Sequence, residues 1–427
     1  MSIQYNLLKL PEYVALMRKV KVLIVGVGAV GTYIAEFLGK AGIGTICVLD
    51  FDEFDLENVP KHSGIVRTPE DVGRYKAVVT AERVQAIMSE GCQAHGVIGN
   101  ISELGPIALK DFDYIVLAVD NYDAKILANQ LWKSIPRGKK RPALISCGTN
   151  GELAQAYFLD GTGPCLRCTI DESWLASSDE RTSCKGPQYR VIGGTREIVR
   201  TSGMASAYAA LLVSECIRAW ETGIKQVSNT RLCYTAFPNM EISVTSVIKK
   251  SDCPHCKLEA PEEIHLLKGD SYKLTLREAF VQITETLDTE DYFIYPHVLT
   301  FGNRGYSEFI ENDYCRCCGE KFPLMRHESR TTFAQLVCSK CTGAEQKNLA
   351  SEDYPAADTI MAFSPSETPD EIMEQTLFNV GYPVGAIIRA KRRRATQDSK
   401  DCTKRTQYAY FTCEEDSKII MTMKELI

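Results

Sequence analysis

Val22-Leu-Ile-Val-Gly-Val-Gly-Ala-Val-Gly31 reads as a strand that runs into a glycine turn and then a helix, and the fold class follows from it. The run Val22 to Val25 is apolar at every position, as in a parallel strand covered on both faces. Val30 to Gly39 opens a helix, so Gly26, Gly28 and Gly31 stand where backbone N–H groups and the positive helix end can face an anion. About twenty residues beyond the turn, Asp50 ends the next strand, where an acid meets a ribose. Asp52, Asn58, Lys61 and Lys76 follow and add a carboxylate, an amide and two cations around that nucleotide seat. The turn alone fits an NAD enzyme as well as an ATP enzyme.

Composition narrows the class. The chain has 427 residues, 44% hydrophobic, enough for two ordinary cores. A net charge of −6 with mixed signs gives no case for nucleic acid or membrane binding. Neither a signal peptide nor an apolar run long enough to span a bilayer is legible, so the expectation is a cytoplasmic protein.

The pattern divides into two parts. Residues 1–258 alternate strands at Lys21, Gly44, Tyr114 and Ala143 with helices at Tyr75 to Met88 and Tyr122 to Trp132, which predicts a doubly wound, Rossmann-like α/β domain. An amphipathic helix from Tyr5 to Arg18 precedes it. Residues 259–427 read as a smaller α+β domain with a helix at Leu276 to Leu287. A closing unit follows: strand Thr359 to Phe363, helix Pro369 to Asn379 and strand Ala386 to Ala390. The cluster Lys391 to Arg394 is expected in a solvated hairpin loop, with Tyr408 to Phe411 as the returning strand. Within this second part, Cys315-x-x-Cys318 and Cys338-x-x-Cys341 are two knuckles at zinc-ribbon spacing (about 315–341). Either Cys315 or Cys317 can supply the first thiolate, and regular spacing favours Cys315.

Leu49-Asp-Phe-Asp-Glu-Phe-Asp-Leu-Glu-Asn-Val59, Gly73-Arg-Tyr-Lys-Ala77 and Ala118-Val-Asp-Asn121, added to the glycine turn, resemble the ThiF/MoeB/HesA superfamily of ATP-dependent adenylyltransferases. The likeness runs from about Lys21 to about Cys256. It implies that Gly26, Gly28, Gly31 and Asp50 hold the nucleotide, that Asp52 and Asn58 finish the pocket, that Lys61 and Lys76 hold phosphates, and that Asp120 carries Mg²⁺. Two positions depart from the family pattern. Ala29 stands where a second glycine is usual, and Lys61-His62 replace an Arg-Gln pair, which keeps a charge but loses the planar fork. The resemblance also implies a structural zinc between Cys165-x-x-Cys168 and Cys253-x-x-Cys256, knuckles too far apart to be paired by spacing alone.

Nine of the seventeen cysteines lie outside those two sets. Cys47, Cys147 and Cys216 sit in apolar strand or helix patterns and read as core thiols. Cys184 lies in a polar stretch beside Arg181 and Lys185, and neighbouring cations favour a thiolate. The family's acyl-accepting cysteine occupies that place. Cys402, in the polar stretch Gln397 to Arg405, is the other candidate.

The resemblance implies ATP-dependent adenylation of the C-terminal carboxylate of a small ubiquitin-like protein. Transfer to an enzyme cysteine as a thioester and handover to a conjugating enzyme would follow. Lys76 and Asp120 would act at the phosphates and Cys184 as the nucleophile, in a homodimer. The segment Gln375 to Arg389 resembles the closing segment of bacterial ubiquitin-activating-like enzymes, and the expectation for the second domain is docking of a conjugating enzyme or of the partner. A sulfur-carrier adenylyltransferase of the thiamin or molybdopterin type is the near alternative. An NAD-dependent dehydrogenase and a non-catalytic nucleotide-binding scaffold are the others.

Overall fold

The computed structural model describes residues 10–56, 62–63, 69–136, 141–150, 153–170, 189–192, 195–198, 202–236, 240–258, 260–295, 299–301, 304–306, 309–315, 318–327, 338–341, 357–360, 362–392 and 408–416. Asn58, Lys61, Cys184, Cys317 and Cys402 lie outside these residues. The chain forms two compact units, one of residues 1–103, 109–260 and 420–427, the other of residues 104–108 and 261–419.

The first unit is built on eight strands: β1 (Lys21–Val25), β2 (Thr45–Leu49), β3 (Gln93–Val97), β4 (Tyr114–Leu117), β5 (Ala143–Asn150), β6 (Leu153–Leu159), and, after a separate hairpin β7 (Tyr189–Ile192) and β8 (Thr195–Ile198), β9 (Thr230–Thr235) and β10 (Glu241–Ser246). Their spatial order is β10-β9-β6-β5-β4-β1-β2-β3. The five strands from β5 to β3 run parallel, and β6, β9 and β10 extend the sheet antiparallel. Apolar side chains of β1, β2 and β4 are buried almost throughout, as strands covered by helices on both faces must be. Val22 and Ile24 share one core with Ile34 and Leu38 of helix Ala29–Lys40 and with Ala209, Val213 and Ile217 of helix Gly203–Glu221. The sheet order reverses between β1 and β4, which opens a crevice at the carboxyl ends of those strands. Four of the five parallel strands, β1, β2, β4 and β5, are where the sequence places them, and β3 is an addition. The first helix is described from Leu10–Met17, and the one predicted from Tyr75 spans Lys76–Gln85.

Cys47, Cys147 and Cys216 are buried thiols, as expected. Burial pushes each of them up to about 12, so they stay protonated and inert.

The second unit packs β11 (His265–Leu267), β12 (Tyr292–Ile294), β18 (Ile388–Arg392) and β19 (Tyr408–Cys413) into one sheet in the order β11-β19-β18-β12. Helix Leu276–Leu287 lies on the same core as Tyr292, Phe309, Phe363, Tyr382 and Phe411. Its start is fixed by a capping box: the Glu278 N–H donates to Thr275 Oγ1 at 3.2 Å and the Thr275 N–H to Glu278 Oε2 at 2.9 Å. The unit also holds a hairpin of β13 (Leu299–Phe301) and β14 (Arg304–Tyr306), and a sheet in which β15 (Phe309–Tyr314) pairs with β16 (Lys321–His327) and β17 (Asp358–Ile360).

Three predictions in this unit need correction. The helix expected over Pro369 to Asn379 is only Asp370–Met373. Beyond it Gln375 and Leu377 exchange backbone bonds with Leu276 and Leu274, and that pairing takes the backbone groups a longer helix would use. The strand expected to reach Phe363 ends at Ile360, and Phe363 instead bridges Ile294 of β12. Lys391 and Arg392 belong to β18 and not to a loop; Lys391 lies opposite Phe293, with Nζ 5.7 Å from its ring centre. The returning strand is where the sequence places it, pairing Ala390 with Ala409. Among the described residues no helix is long and apolar enough to cross a membrane.

The glycines of the turn make a sharp test of this packing. A Cβ on Gly31 would stand 2.1 Å from the Gly26 carbonyl oxygen, whereas one on Gly28 meets nothing within 4 Å. Gly31→Ala is expected to lower unfolding free energy by about 1–3 kcal/mol. Gly28→Ala, which meets no steric obstacle, is expected to lower it by less, about 0.5–1 kcal/mol, the preference for glycine over alanine at a helix N-cap. Urea titrations of the two variants check this, and equal losses would show that the turn is not packed as described.

Candidate active site

The glycine turn is held shut by its surroundings and open on one side. Gly26 has φ +86°, and a Cβ there would lie 2.8 Å from Val119 Cγ1, so the residue after β1 must be glycine for steric and conformational reasons alike. The Gly26 N–H donates to the Leu49 carbonyl at 2.9 Å and the Ala118 N–H to the Val25 carbonyl at the same distance, so the ends of β2 and β4 flank the turn. Gly28, the N-cap of the helix, has free space where a side chain would be, which lets a ligand approach the backbone. Ala29 is the first residue of the helix.

Asp50 joins two loops. Its Oδ2 accepts the Val27 N–H of the glycine turn at 2.7 Å and its Oδ1 accepts the Asp52 N–H at 2.8 Å. Burial raises its pKa, while these two N–H groups and the Lys76 ammonium act in the opposite direction. Each oxygen keeps a lone pair for a hydroxyl donor.

Lys76 reaches the same place by a different route. The Asp52 carbonyl accepts the Lys76 N–H at 2.8 Å, and the Phe54 N–H and Gly73 N–H pair with Arg74 and Phe54 carbonyls at 2.8 and 2.9 Å. This short antiparallel clamp presents Nζ of the buried lysine to Asp52 Oδ2 at 3.0 Å. Asp71, also buried, takes Arg74 at 3.1 Å and Arg83 at 3.3 Å and so fixes the far side of the clamp. Sequence reasoning passed over Asp71 and Arg83; only their places just before and after Lys76 mark them.

Asp120 follows Ala118 and Val119, which touch Gly26, and is exposed at the mouth of the crevice. Asn121 caps the next helix by accepting the Ala124 N–H at 2.7 Å. Two residues after Lys61 in the sequence, Ser63 is fully buried. Its N–H donates to Thr32 Oγ1 at 3.1 Å and its hydroxyl bonds Glu36, both on the glycine-turn helix. His62 stacks at a tilt on Phe54, ring centres 5.0 Å apart. The structure therefore brings Gly26, Gly28, Gly31, Asp50, Asp52, Lys76 and Asp120 to one crevice.

The same helix that Asn121 caps carries Asn129, whose Oδ1 accepts the Leu166 N–H at 2.9 Å and whose Nδ2 meets His255 Nδ1 at 2.8 Å. Burial lowers the His255 pKa to about 4, so the ring is neutral and accepts that bond. Asn129 thus ties together the two distant knuckles. Their sulfurs, on Cys165, Cys168, Cys253 and Cys256, approach one another to 3.5–3.9 Å in four of the pairs. Four thiolates at Zn–S of about 2.3 Å in a tetrahedron sit about 3.8 Å apart, so the set fits zinc. In the second unit Cys315, Cys318, Cys338 and Cys341 also converge within 4.8 Å. There the Cys338 N–H donates to Cys315 Sγ at 3.2 Å, as thiolates in knuckles accept backbone N–H groups.

A family model described as ThiF family matches residues 4–257. The chain belongs to the ThiF family. ThiF-family relatives include a sulfur carrier protein adenylyltransferase of Thermus thermophilus, 29% identical over 37% of this chain and 58% of that protein. An adenylyltransferase and sulfurtransferase uba4 of Aspergillus clavatus is 25% identical over 60% of this chain and 51% of that protein. A ubiquitin-like modifier-activating enzyme 5 of Dictyostelium discoideum is 23% identical over 39% and 45%. Among solved structures, Escherichia coli MccB with ATP is 19% identical, with a TM-score of 0.44 over 58% of this chain and 69% of that one. The chain spans 51% to 58% of the length of the first two of these relatives.

Two closed four-thiolate sets are expected to bring down two zinc ions per chain, measured by elemental analysis of protein purified without chelator. Cys338→Ser with Cys341→Ser is expected to remove one of them and keep the other. A preparation with less than one zinc per chain would contradict the assignment of both sets.

Proposed function

We propose that this chain adenylates the C-terminal carboxylate of a small ubiquitin-like protein. The observation that carries this reading is the joined seat in which Asp50 fastens the glycine turn to the Asp52 loop while a backbone clamp delivers Lys76 to it. In this reading Gly26, Gly28 and Gly31 leave the backbone open to the nucleotide phosphates. Asp50, Asp52 and Asn58 hold its ribose and base side, and Lys76 and Lys61 face the phosphate oxygens.

A carboxylate oxygen attacks the α-phosphorus, the new O–P bond forms as the bond to the β-phosphate oxygen breaks, and pyrophosphate leaves. The barrier lies in alignment and in charge on the phosphate oxygens. On binding nucleotide, Lys76 exchanges Asp52 for those oxygens with little movement, because its backbone is already pinned. Asp120 would hold Mg²⁺, which would neutralise phosphate charge when bound; one exposed carboxylate plus phosphate oxygens is a usual setting for that ion.

Cys184 is proposed as the acyl acceptor: its thiolate attacks the acyl carbon, AMP leaves, and the thioester passes to a conjugating enzyme. Cytoplasmic location and a homodimer complete this proposal. The sulfur-carrier reading is favoured by two relatives, a sulfur carrier protein adenylyltransferase and an adenylyltransferase and sulfurtransferase. It predicts adenylate without a cysteine adduct.

Lys76→Ala and Asp120→Ala are each expected to lose about 10²-fold or more in exchange of labelled pyrophosphate into ATP, measured with a small protein ending in Gly-Gly as acid substrate. Exchange near the wild-type rate in both variants would sink the reading. Cys184→Ala is expected to keep that exchange and lose a reductant-sensitive adduct with the small protein. An adduct mapped by mass spectrometry to Cys402 would reverse the choice of nucleophile, and adenylate without any adduct would favour the sulfur-carrier reading.

A further inference from the structure

Lys125 is a cation that the seat around Lys76 does not use. It stands in the first turn of helix Tyr122–Lys133, directly after Asp120 and the cap Asn121. Its Nζ donates to the Cys147 carbonyl in β5 at 3.2 Å and lies 5.8 Å from the Tyr122 ring centre. It is also 3.7 Å from the point where a Cβ would stand on Gly148. The ammonium therefore sits at the carboxyl ends of β4 and β5, inside the crevice where ligands of open parallel sheets bind.

The strand order gives this position its meaning. In the sequence β5-β4-β1-β2, the glycine turn leaves β1, Lys76 comes in beside the Asp52 loop after β2, and Lys125 lies on the opposite flank beyond β4. A nucleotide on the turn is thus bracketed by two cations. Lys76 has a carboxylate partner in Asp52. Among the described residues the hydrogen-bond acceptor of Lys125 is a neutral carbonyl, which uses one of three ammonium donors. Burial holds the Lys125 pKa below the usual lysine value, and Cys147 and then Asp120 pull it back only in part. A desolvated ammonium with donors to spare gains most from a second anion brought into the same crevice.

Adenylation brings exactly one anion besides the nucleotide. We propose that Lys125 is the seat of the reacting carboxylate: it binds the C-terminal carboxylate of the acyl substrate on the β4–β5 side of the turn and holds it toward the α-phosphate. This rests on the adenylation reading given above. It separates the two anions onto two cations, with Lys76 serving the phosphates and Lys125 the carboxylate. Arginine at this position would keep the charge and lengthen the reach, while methionine would keep the volume and remove the charge.

The test compares a synthetic peptide ending in Gly-Gly as free acid and as C-terminal amide. Binding of each to the full chain is measured by calorimetry in the presence of α,β-methylene ATP and Mg²⁺. Wild-type protein is expected to prefer the acid by about tenfold or more, the worth of one charged hydrogen bond. Lys125→Met is expected to bring that preference to within about twofold while the affinity for α,β-methylene ATP stays unchanged, and Lys125→Arg to restore most of it. A structural role would weaken acid and amide alike and leave their ratio untouched. Persistence of the acid preference in Lys125→Met would overturn the proposal. So would a loss of affinity for the nucleotide analogue with the preference intact, which would move Lys125 to the phosphates. Wild-type protein that binds the analogue but neither peptide would instead sink the adenylation reading, and this inference with it.

Discussion

One carboxylate holds the crevice together. Asp50 takes a backbone N–H from the glycine turn with one oxygen and from the Asp52 loop with the other, so the two loops that must close around a nucleotide have a common anchor before any ligand arrives. Hydrogen bonds to an ionised acceptor are roughly twice as strong as neutral ones, and a site pinned this way does not have to order itself on binding. The energetic cost is the burial that raises the Asp50 pKa, offset by those N–H groups and by Lys76. Removing Lys76 would therefore disturb Asp50 and Asp52 as well as the phosphates it is proposed to hold. A single lysine substitution is expected to reach beyond its own side chain for that reason.

The scaffold explains why both cations are where they are. Lys76 is aimed by a backbone clamp between residues 52–54 and 73–76, fixed from behind by the buried Asp71 and its two arginines. Lys125 is aimed by a helix whose N-terminus is capped by Asn121 and whose far half is tied through Asn129 to both zinc knuckles. The thiolate cluster thus bears on the crevice without touching it. Closing that cluster with zinc would stiffen the helix that carries Lys125.

Much of this was legible in the residues, for local reasons. Strand, glycine turn, helix and terminal acid occur within thirty residues of one another, and each leaves a mark: an apolar run, glycines, then an acid at a fixed offset. The ribbon cysteines were legible by spacing, and Cys315 joins the cluster as that spacing favours. What escaped was set by distant pairing. The antiparallel extension joins β6 to β9 across some seventy residues of sequence; the set of Cys165 and Cys253, implied by the family resemblance and by nothing in the spacing, is held by Asn129, which no spacing rule singles out. Near the C-terminus, Pro369 and the acids after it signal a helix start, but the turn at Thr275 captures residues 375–377 and ends it early. Lys125 was hidden for another reason: in sequence it is one lysine in a helix, and only β5 alongside shows that its ammonium is inside the crevice.

The central claim is that the carboxylate of the acyl substrate attacks the α-phosphorus of a nucleotide held on this turn. Oxygen-18 placed in the C-terminal carboxylate of a small protein ending in Gly-Gly tests it most directly, with mass spectrometry of the AMP formed when the activated acyl group is captured by a thiol. The account predicts one heavy oxygen in each AMP, because the carboxylate oxygen that attacked phosphorus leaves with it. AMP without the label, or turnover to ADP and phosphate, would contradict it.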